Sequence, residues 1–284
     1  MEVLITGSTG FLGRRAAAHF ARLGHTVLTP THAQLDITDA ASVENWFALH
    51  RPQAVIHCAA VSDTGRCQQD PETTALVNVS GTANLAAVCG RTGAKFLFCS
   101  SDQVYADSSL PGPHAEEEPL CPQNVYANQK RLAEQLYQKL CLNSVILRLT
   151  WMYSTNTYPG EHGHLLTSLL TAIRDPQVPL TWPIHDHRGI TDADTVAEKL
   201  PEALLLPPGI YNFGSENTMD TYHTVRSVLE RLELSSALER LTPNEIAFAE
   251  APRDIRIQAS RAASFGIHFD STQEGLYQAL SKCL

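Results

Sequence analysis

The sequence predicts an α/β fold in which helices cover both faces of a parallel sheet. Short apolar runs rich in Val, Ile and Leu alternate with helical patterns over the first 150 residues. Runs of this composition are typical of parallel strands that are buried on both faces. With right-handed crossovers, the alternation gives a doubly wound sheet. A length of 284 residues, with 43% hydrophobic and 18% charged residues, suits one large domain and a smaller appended one.

The elements of the first half follow from periodicity and from flanking turn residues. Strands are predicted at 2–6, 25–29, 54–60, 95–101 and 144–150. Helices are predicted at 11–24, 40–50, 73–93 and 125–140. Thr38 or Asp39 is expected to cap the second of these helices.

Beyond residue 150 the pattern is less regular. Isolated strands are predicted at 177–182 and 209–215, with short helices and prolines between and after them. We therefore predict a regular doubly wound domain at 1–150. A smaller mixed region is predicted at 151–284, with some of its segments returning to the main sheet.

Composition argues against several classes of function. The net charge of −9 argues against a nucleic-acid surface and a polybasic membrane patch. No apolar run reaches the roughly 18–20 residues of a membrane span. The start, MEVLITGSTG, reads as a strand and a loop rather than a signal peptide. The seven cysteines form no CxxC pair, which indicates free thiols and a cytoplasmic protein. No metal site is predicted, because the histidine clusters at 162–164 and 185–187 match no zinc spacing.

A glycine loop, TGSTGFLG, lies between the first strand and the first helix. Its glycines, Gly7, Gly10 and Gly13, would let the backbone approach a pyrophosphate at the start of the helix. The alternative is a structural glycine turn, but the strand-to-helix position favours a Rossmann-type dinucleotide site. Phe11 and Leu12, between the last two glycines, belong to the predicted cofactor site.

The G-x-x-G-x-x-G spacing resembles the extended branch of the short-chain dehydrogenase/reductase superfamily. Three further segments resemble it in the same order: LDITD (35–39), HCAAVS (57–62), and SSDQVYA (100–106) followed by YANQK (126–130). The resemblance implies that Asp36 and Ile37 lie at the adenine. It also implies that Cys58, Ala59 and Ala60 line the nicotinamide ribose.

The last of these segments resembles the catalytic Ser…Tyr-x-x-x-Lys set of that superfamily. It implies catalytic roles for Ser101, Tyr126 and Lys130, the latter two also touching the cofactor. At a spacing of four, the tyrosine and lysine share one face of a helix. The apolar stripe of this helix is predicted to consist of Leu132, Leu136 and Leu140. The tyrosine and lysine should therefore lie outside the main core stripe.

A closer resemblance is to dTDP-4-dehydrorhamnose reductases and their relatives. It is carried by the segments 70–86, 188–200, 209–215 and 251–267. It implies an NADP-binding Rossmann domain at 1–150 and a substrate-binding region at 151–284. The implied substrate is a 4-keto nucleotide sugar, contacted by Ser101, Asp102, Trp151 and Arg253. A homodimer is compatible with this interpretation.

The residues after the second strand bear on the choice of nicotinamide. The segment TVLTPTHAQ contains no carboxylate that could bind a ribose 2′-hydroxyl, as NAD enzymes require. Arg14 or Arg15, directly after the glycine loop, could bind a 2′-phosphate instead. This favours NADP, with NAD as the alternative.

The predicted reaction is reduction of a carbonyl, in which the nicotinamide supplies the hydride and Tyr126 the proton. A nearby ammonium lowers the pKa of a phenol, so Lys130 is expected to lower that of Tyr126. Ser101 is expected to hydrogen-bond the substrate oxygen. Two alternatives remain: a cofactor-binding subunit resembling the regulatory subunit of methionine adenosyltransferase, and an epimerase or dehydratase in which Asp102 takes part.

Overall fold

The computed structural model describes residues 1–158 and 163–284. The strands of the described residues are β1 (Glu2–Thr6), β2 (Thr26–Leu28), β3 (Ala54–His57), β4 (Lys95–Ser101), β5 (Ser144–Leu149), β6 (Trp151–Tyr153), β7 (Leu180–Pro183), β8 (Asp186–His187), β9 (Ile190–Asp192), β10 (Gly209–Phe213), β11 (Leu241–Asn244) and β12 (Arg253–Asp254). Six of them form one parallel sheet in the order β2-β1-β3-β4-β5-β10.

The helices are α1 (Phe11–Arg22), α2 (Ala40–His50), α3 (Thr64–Gln69), α4 (Pro71–Ala75), α5 (Thr82–Thr92), α6 (Val125–Leu140), α7 (Leu165–Arg174), α8 (Ala193–Ala203), α9 (Thr221–Arg231), α10 (Ser235–Arg240), α11 (Ser260–Ala263) and α12 (Thr272–Cys283). A π-helical turn, Leu76–Gly81, joins α4 to α5, and a 3₁₀ turn, Asp102–Tyr105, follows β4. The predicted cap of α2 is Asp39, whose side chain accepts a hydrogen bond from the backbone of Ala41.

Helices cover both faces of the main sheet, as the prediction of a doubly wound α/β fold requires. One face packs against α1 and α8 through a core that includes Phe20 and Leu200. The other packs against α2, α5 and α6 through residues that include Phe47, Leu85 and Tyr137. Apolar strands buried on both sides explain why these runs are continuous rather than alternating.

The second half contributes both to the core of the main sheet and to apolar clusters outside it. The strand predicted as isolated at 209–215 is β10, which pairs with β5 at the edge of the main sheet. A separate apolar cluster lies among α7, α9 and α12 and includes Leu166, Leu229 and Leu280. The domain boundary at residue 150 therefore remains a prediction, since β10, which lies beyond it, completes the main sheet.

The helix predicted at 73–93 is confirmed as a continuous helical stretch, but a π-helical turn lies within it, between α4 and α5. A π turn adds a residue to the helical repeat and often lies at a functional site. Here the turn carries Asn78, which is 1% exposed and points inward.

The predicted apolar stripe of α6 is wrong. Leu132, Leu136 and Leu140 are 37%, 40% and 41% exposed. The buried face instead consists of Tyr126, Ala127, Gln129, Lys130, Ala133, Glu134 and Tyr137. The apolar periodicity did not predict the buried face of α6, because the buried polar side chains find hydrogen-bond partners inside the protein. Hydropathy alone does not reveal such partners.

No helix of the described residues is long and apolar enough to cross a membrane. All seven cysteines are free thiols, and four of them are buried.

Candidate active site

The sheet order changes direction between β1 and β3, because the chain passes from β1 to β2 on one side and β3 lies on the other. In open α/β sheets, ligands bind beyond the carboxyl ends of the strands at such a switch point. The glycine loop follows β1, and the predicted segment Cys58–Ala60 follows β3. Both therefore border one crevice.

The glycine loop packs closely on itself and on the segment after β3. Gly7 has a φ of +66°, and a Cβ there would lie 2.7 Å from the amide nitrogen of Ala59. A Cβ on Gly13 would overlap the carbonyl oxygen of Gly7. Helix α1 begins at Phe11 without a side-chain cap at Gly10. Its first N–H groups are thus available to an anion, which fits the pyrophosphate of a dinucleotide.

The wall after β3 is held by a chain of hydrogen bonds through His57. Thr82 donates to a backbone carbonyl at 2.9 Å, so it accepts from Nε2 of His57 at 3.0 Å. Nδ1 of His57 then accepts from Thr6 at 2.7 Å, and the Thr6 oxygen accepts from the Ala59 amide at 3.4 Å. Burial, and to a smaller extent the positive charge of Lys130, lowers the pKa of His57 to about 3. The ring is therefore neutral. The chain holds Ala59 beside the crevice.

Asn78 and Gln129 connect this wall to α6. The Asn78 side chain exchanges two hydrogen bonds with the backbone of Val61, at 2.8 and 3.0 Å. It also donates to Gln129 at 2.7 Å. Gln129 lies on α6 between Tyr126 and Lys130. Sequence reasoning missed both residues, and the π-helical turn that orients Asn78 leaves no clear sequence signal.

The three predicted catalytic residues lie at the end of β4 and the start of α6. Ser101 is the last residue of β4, where its hydroxyl accepts a hydrogen bond from the Gln103 amide at 3.2 Å. Tyr126 is in the first turn of α6 and is 8% exposed. The Lys130 ammonium is 5.9 Å from the Tyr126 ring centre and donates to the carbonyl of Cys99 at 2.9 Å.

The pKa of Tyr126 departs from the expectation. Burial is the largest influence and raises it, while the neighbouring Ser101 hydroxyl acts in the opposite direction and the charge of Asp102 adds to the rise. In the free protein this pKa is therefore raised and not lowered as expected, because desolvation disfavours the phenolate. The phenol keeps its proton at neutral pH. Burial also lowers the pKa of Lys130 to about 8.

Of the two arginines predicted for a 2′-phosphate, Arg15 is excluded. It is 2% exposed, and its guanidinium bonds the carbonyl of Phe11 at 2.7 Å and lies 3.4 Å from Asp194. Arg14 is partly exposed and donates to the carbonyl of Thr9 at 3.0 Å. Arg14 therefore remains the candidate for binding the 2′-phosphate.

The residues predicted at the adenine follow β2. The Asp36 carboxylate accepts from the amide and hydroxyl of Thr38, at 2.9 and 2.7 Å, and these bonds lower its pKa. Ile37 is buried, and a Cβ on Gly81 would lie 2.8 Å from its side chain. The two bonds from Thr38 thus favour the ionised form of Asp36 and fix the orientation of its carboxylate.

Of the predicted substrate residues, Asp102 and Trp151 both contact Arg188, whereas Arg253 pairs with Asp186. Asp102 lies 3.5 Å from Arg188, whose guanidinium is 4.8 Å from the ring centre of Trp151. Arg253 bonds Asp186 at 2.8 Å. Sequence reasoning did not single out Arg188, although it begins the segment RGITDADTVAEKL.

The described residues contain no group of three or more His, Cys, Asp and Glu side chains that could hold a metal ion. In the second histidine cluster, Asp186 is paired with Arg253. His162 of the first cluster lies outside the described residues.

A glycine loop at the switch point, with Ser, Tyr and Lys on the adjoining strand and helix, defines the extended short-chain dehydrogenase/reductase class. Within it, the chain belongs to the RmlD substrate-binding domain family, whose model matches residues 1–283. The predicted family resemblance is thus confirmed.

Proteins with three different names are similar in sequence to this chain. It is 26% identical to the spore coat polysaccharide biosynthesis protein SpsK of Bacillus subtilis, over 86% of this chain and 84% of that protein. It is 27% identical to methionine adenosyltransferase 2 subunit beta of Bos taurus, over 94% and 83%. It is 35% identical to dTDP-4-dehydrorhamnose reductase of Streptomyces griseus, over 53% and 49%.

Solved structures share the fold over the whole chain. The dTDP-4-dehydrorhamnose reductase of Bacillus anthracis, in complex with NADP, has a TM-score of 0.85 at 19% identity and covers 99% of this chain and 98% of its own. The UDP-glucose 4-epimerase of Thermus thermophilus, in complex with NAD, has a TM-score of 0.73 at 22% identity, over 99% and 98%. The predicted Rossmann fold is confirmed by these similarities.

Proposed function

We propose that this protein is an NADP-dependent reductase of a carbonyl group in a 4-keto nucleotide sugar related to dTDP-4-dehydrorhamnose. The observation that carries the proposal is the common position of Ser101, Tyr126 and Lys130. They lie at the carboxyl edge of the sheet, next to a crevice that suits a dinucleotide.

The bound nicotinamide would supply the hydride to the carbonyl carbon. Tyr126, which is protonated at neutral pH, would give its phenolic proton to the carbonyl oxygen. The Ser101 hydroxyl would donate a hydrogen bond to the same oxygen and stabilise the developing charge. Lys130 would stabilise the resulting phenolate and hold the nicotinamide ribose.

Two observations support NADP as the cofactor. Arg14 is partly exposed next to the glycine loop, where it could bind a 2′-phosphate. A structurally similar reductase from Bacillus anthracis is in complex with NADP. NAD is the alternative, since a similar epimerase is in complex with NAD.

The substrate class is supported by the names of the relatives. Reductases of dTDP-4-dehydrorhamnose are up to 35% identical to this chain, although they match about half of its length. The relative that matches 86% of the chain acts in polysaccharide biosynthesis by its name.

The test is NADPH oxidation by the purified protein with dTDP-4-dehydrorhamnose. Tyr126→Phe should lower turnover by roughly 10²- to 10⁴-fold, because a proton donor is lost. Tyr137→Phe is the matched control, since this buried tyrosine lies on the same helix and its hydroxyl bonds the backbone carbonyls of Phe96 and Val145, away from the proposed reaction centre. Unchanged turnover in Tyr126→Phe would refute the mechanism.

A regulatory role is the second candidate. Its support is the similarity to methionine adenosyltransferase 2 subunit beta over 94% of the chain. No turnover with any 4-keto nucleotide sugar, together with binding to a methionine adenosyltransferase catalytic subunit, would favour it. Conversion of a nucleotide sugar without net NADPH consumption would instead favour the epimerase or dehydratase alternative.

A further inference from the structure

Two buried charged side chains meet where the substrate is expected. Asp102 is 1% exposed and Arg188 is 7% exposed. Oδ2 of Asp102 lies 3.5 Å from an Nη atom of Arg188. Asp102 directly follows Ser101 at the end of β4, whereas Arg188 lies between β8 and β9. The pair therefore joins the main sheet to the C-terminal region beside the proposed reaction centre.

The hydrogen bonds of this pair are incomplete. Oδ1 of Asp102 accepts from the Ser101 hydroxyl at 3.2 Å. Within residues 1–158 and 163–284, neither Oδ2 of Asp102 nor Nε of Arg188 has a hydrogen-bond partner. A buried charged group with unused hydrogen-bonding capacity costs free energy, so it calls for an explanation such as a ligand. Oδ2 is thus an acceptor with capacity for one.

Arg188 is held in place by its neighbours. Its guanidinium lies over the Trp151 ring, 4.8 Å from the centre, which is a cation–π geometry. Asp186 and Arg253 lie close enough to influence its pKa. This environment presents the cation at a constant position beside Asp102.

The charge of Asp102 depends on groups from several elements. These are the cations of Arg188 and Arg253, the hydroxyls of Ser101 and Tyr126, and the carboxylate of Asp186. Burial is the largest influence and raises the pKa of Asp102, and Arg188 is the largest influence that lowers it. Removal of the Arg188 cation would therefore protonate Asp102 at a higher pH.

We propose that Arg188 is a positioning residue that holds Asp102 as an oriented carboxylate, whose Oδ2 accepts a hydrogen bond from a substrate hydroxyl beside the carbonyl. The hydroxyl would lie beside the carbonyl because Asp102 directly follows Ser101, whose hydroxyl would turn from Oδ1 of Asp102 to donate to the carbonyl oxygen. The substrate class is thus an α-hydroxy carbonyl compound. This inference rests on the proposed function for its substrate.

Kinetics with NADPH and dTDP-4-dehydrorhamnose test the coupling. Arg188→Gln should raise KM by roughly ten- to a hundredfold, the range expected for a hydrogen bond to a charged group. It should also move the acidic limb of kcat/KM to higher pH. Asp102→Asn should abolish that limb, and the double variant should behave like Asp102→Asn alone. The proposal would be overturned if the kinetic losses of the two single variants multiplied in the double variant. It would also be overturned if the acidic limb of kcat/KM in Arg188→Gln stayed at the wild-type pH.

The substrate hydroxyl is tested by comparing dTDP-4-dehydrorhamnose with its analogue that lacks the hydroxyl beside the carbonyl. The wild-type protein should prefer the hydroxylated sugar at least tenfold. Asp102→Asn and Arg188→Gln should both lose most of this preference. Equal use of the two sugars by the wild-type protein would overturn the role of Oδ2.

A substrate-free measurement separates this inference from the proposed function. The Asp102 carboxyl can be titrated by carbon-13 NMR, with Asp102→Asn providing the assignment. Its midpoint should rise in Arg188→Gln and stay near the wild-type value in Arg188→Lys, which keeps a cation and guards against misfolding. If neither sugar is turned over, the proposed function fails, and this titration alone decides whether Arg188 sets the charge of Asp102. An unchanged midpoint in Arg188→Gln overturns the inference in either case.

Discussion

Lys130 is a charged residue in a site from which water is largely excluded. Its side chain is 3% exposed, its ammonium bonds the Cys99 carbonyl, and it lies 4.7 Å from the ring centre of Phe98. Because burial disfavours the ammonium, the pKa of Lys130 falls to about 8. The residue is therefore charged at neutral pH and becomes neutral a little above it.

This pKa predicts a pH dependence of cofactor binding. If the Lys130 ammonium bonds the nicotinamide ribose, the Kd for NADPH should increase as the pH rises through about 8. Lys130→Met should weaken binding by roughly ten- to a hundredfold and remove this dependence. Titration of NADPH fluorescence between pH 6.5 and 9.5 would measure both.

Lys139→Met is the matched control, because Lys139 is an exposed residue of the same helix. Its NADPH affinity and pH dependence should equal those of the wild-type protein. The same dependence persisting in Lys130→Met would mean that another group titrates.

At the scale of elements, the end of β3 depends on the neutral ring of His57. The ring accepts from Thr6 on β1 and donates to Thr82 on α5, and it stacks on Phe96 and Phe98 of β4. A protonated ring could not accept the bond from Thr6. The position of β3 relative to its neighbours thus depends on an uncharged histidine.

His57 predicts a loss of stability in acid. Its pKa is about 3 in the folded protein and about 6.5 when unfolded, so the unfolded chain binds the proton first as the pH falls. The free energy of unfolding should fall by about 1.4 kcal/mol per pH unit below about 6.5. Urea unfolding at pH 7, 6 and 5 should show a shallower decline in His57→Gln than in the wild-type protein.

His268→Gln is the control, because His268 is exposed and its replacement should leave the pH dependence unchanged. Parallel curves for the wild-type protein and His57→Gln would show that His57 does not govern acid stability.

At the scale of the whole molecule, one buried polar network connects distant segments. Arg148 on β5 is 2% exposed and bonds Glu134 on α6 at 2.8 Å and Tyr105 at 2.7 Å. Tyr105 donates to Asn212 on β10 at 2.8 Å. The network thus links α6 to β10, the edge strand that the second half contributes.

Loss of one charge should therefore destabilise the fold. Glu134→Gln leaves the Arg148 guanidinium buried without a counter-charge, which should cost about 3–5 kcal/mol of unfolding free energy. Glu44→Gln removes an exposed partner of Arg91 and should cost less than about 1 kcal/mol. Urea denaturation compares the two. Equal losses would mean that the buried charge is compensated elsewhere.

Several elements were predictable because their signals are local. The α6 boundaries at 125–140 and the Asp39 cap depend on residues within one or two helical turns. The face that α6 buries was not predictable, since Glu134 and Lys130 become acceptable inside only when Arg148 and the Cys99 carbonyl meet them. The same holds for Arg15, whose burial depends on partners such as Asp194.

The sequence by itself determined the doubly wound fold, the glycine loop and the Tyr126–Lys130 pair, because each follows from periodicity or short spacing. Only the tertiary structure decided that α6 turns its leucines outward, that burial raises the pKa of Tyr126, and that Asp102 meets Arg188. The physical reason is desolvation. The free energy of a buried charge depends on which partners the fold brings to it, and those partners come from distant parts of the chain.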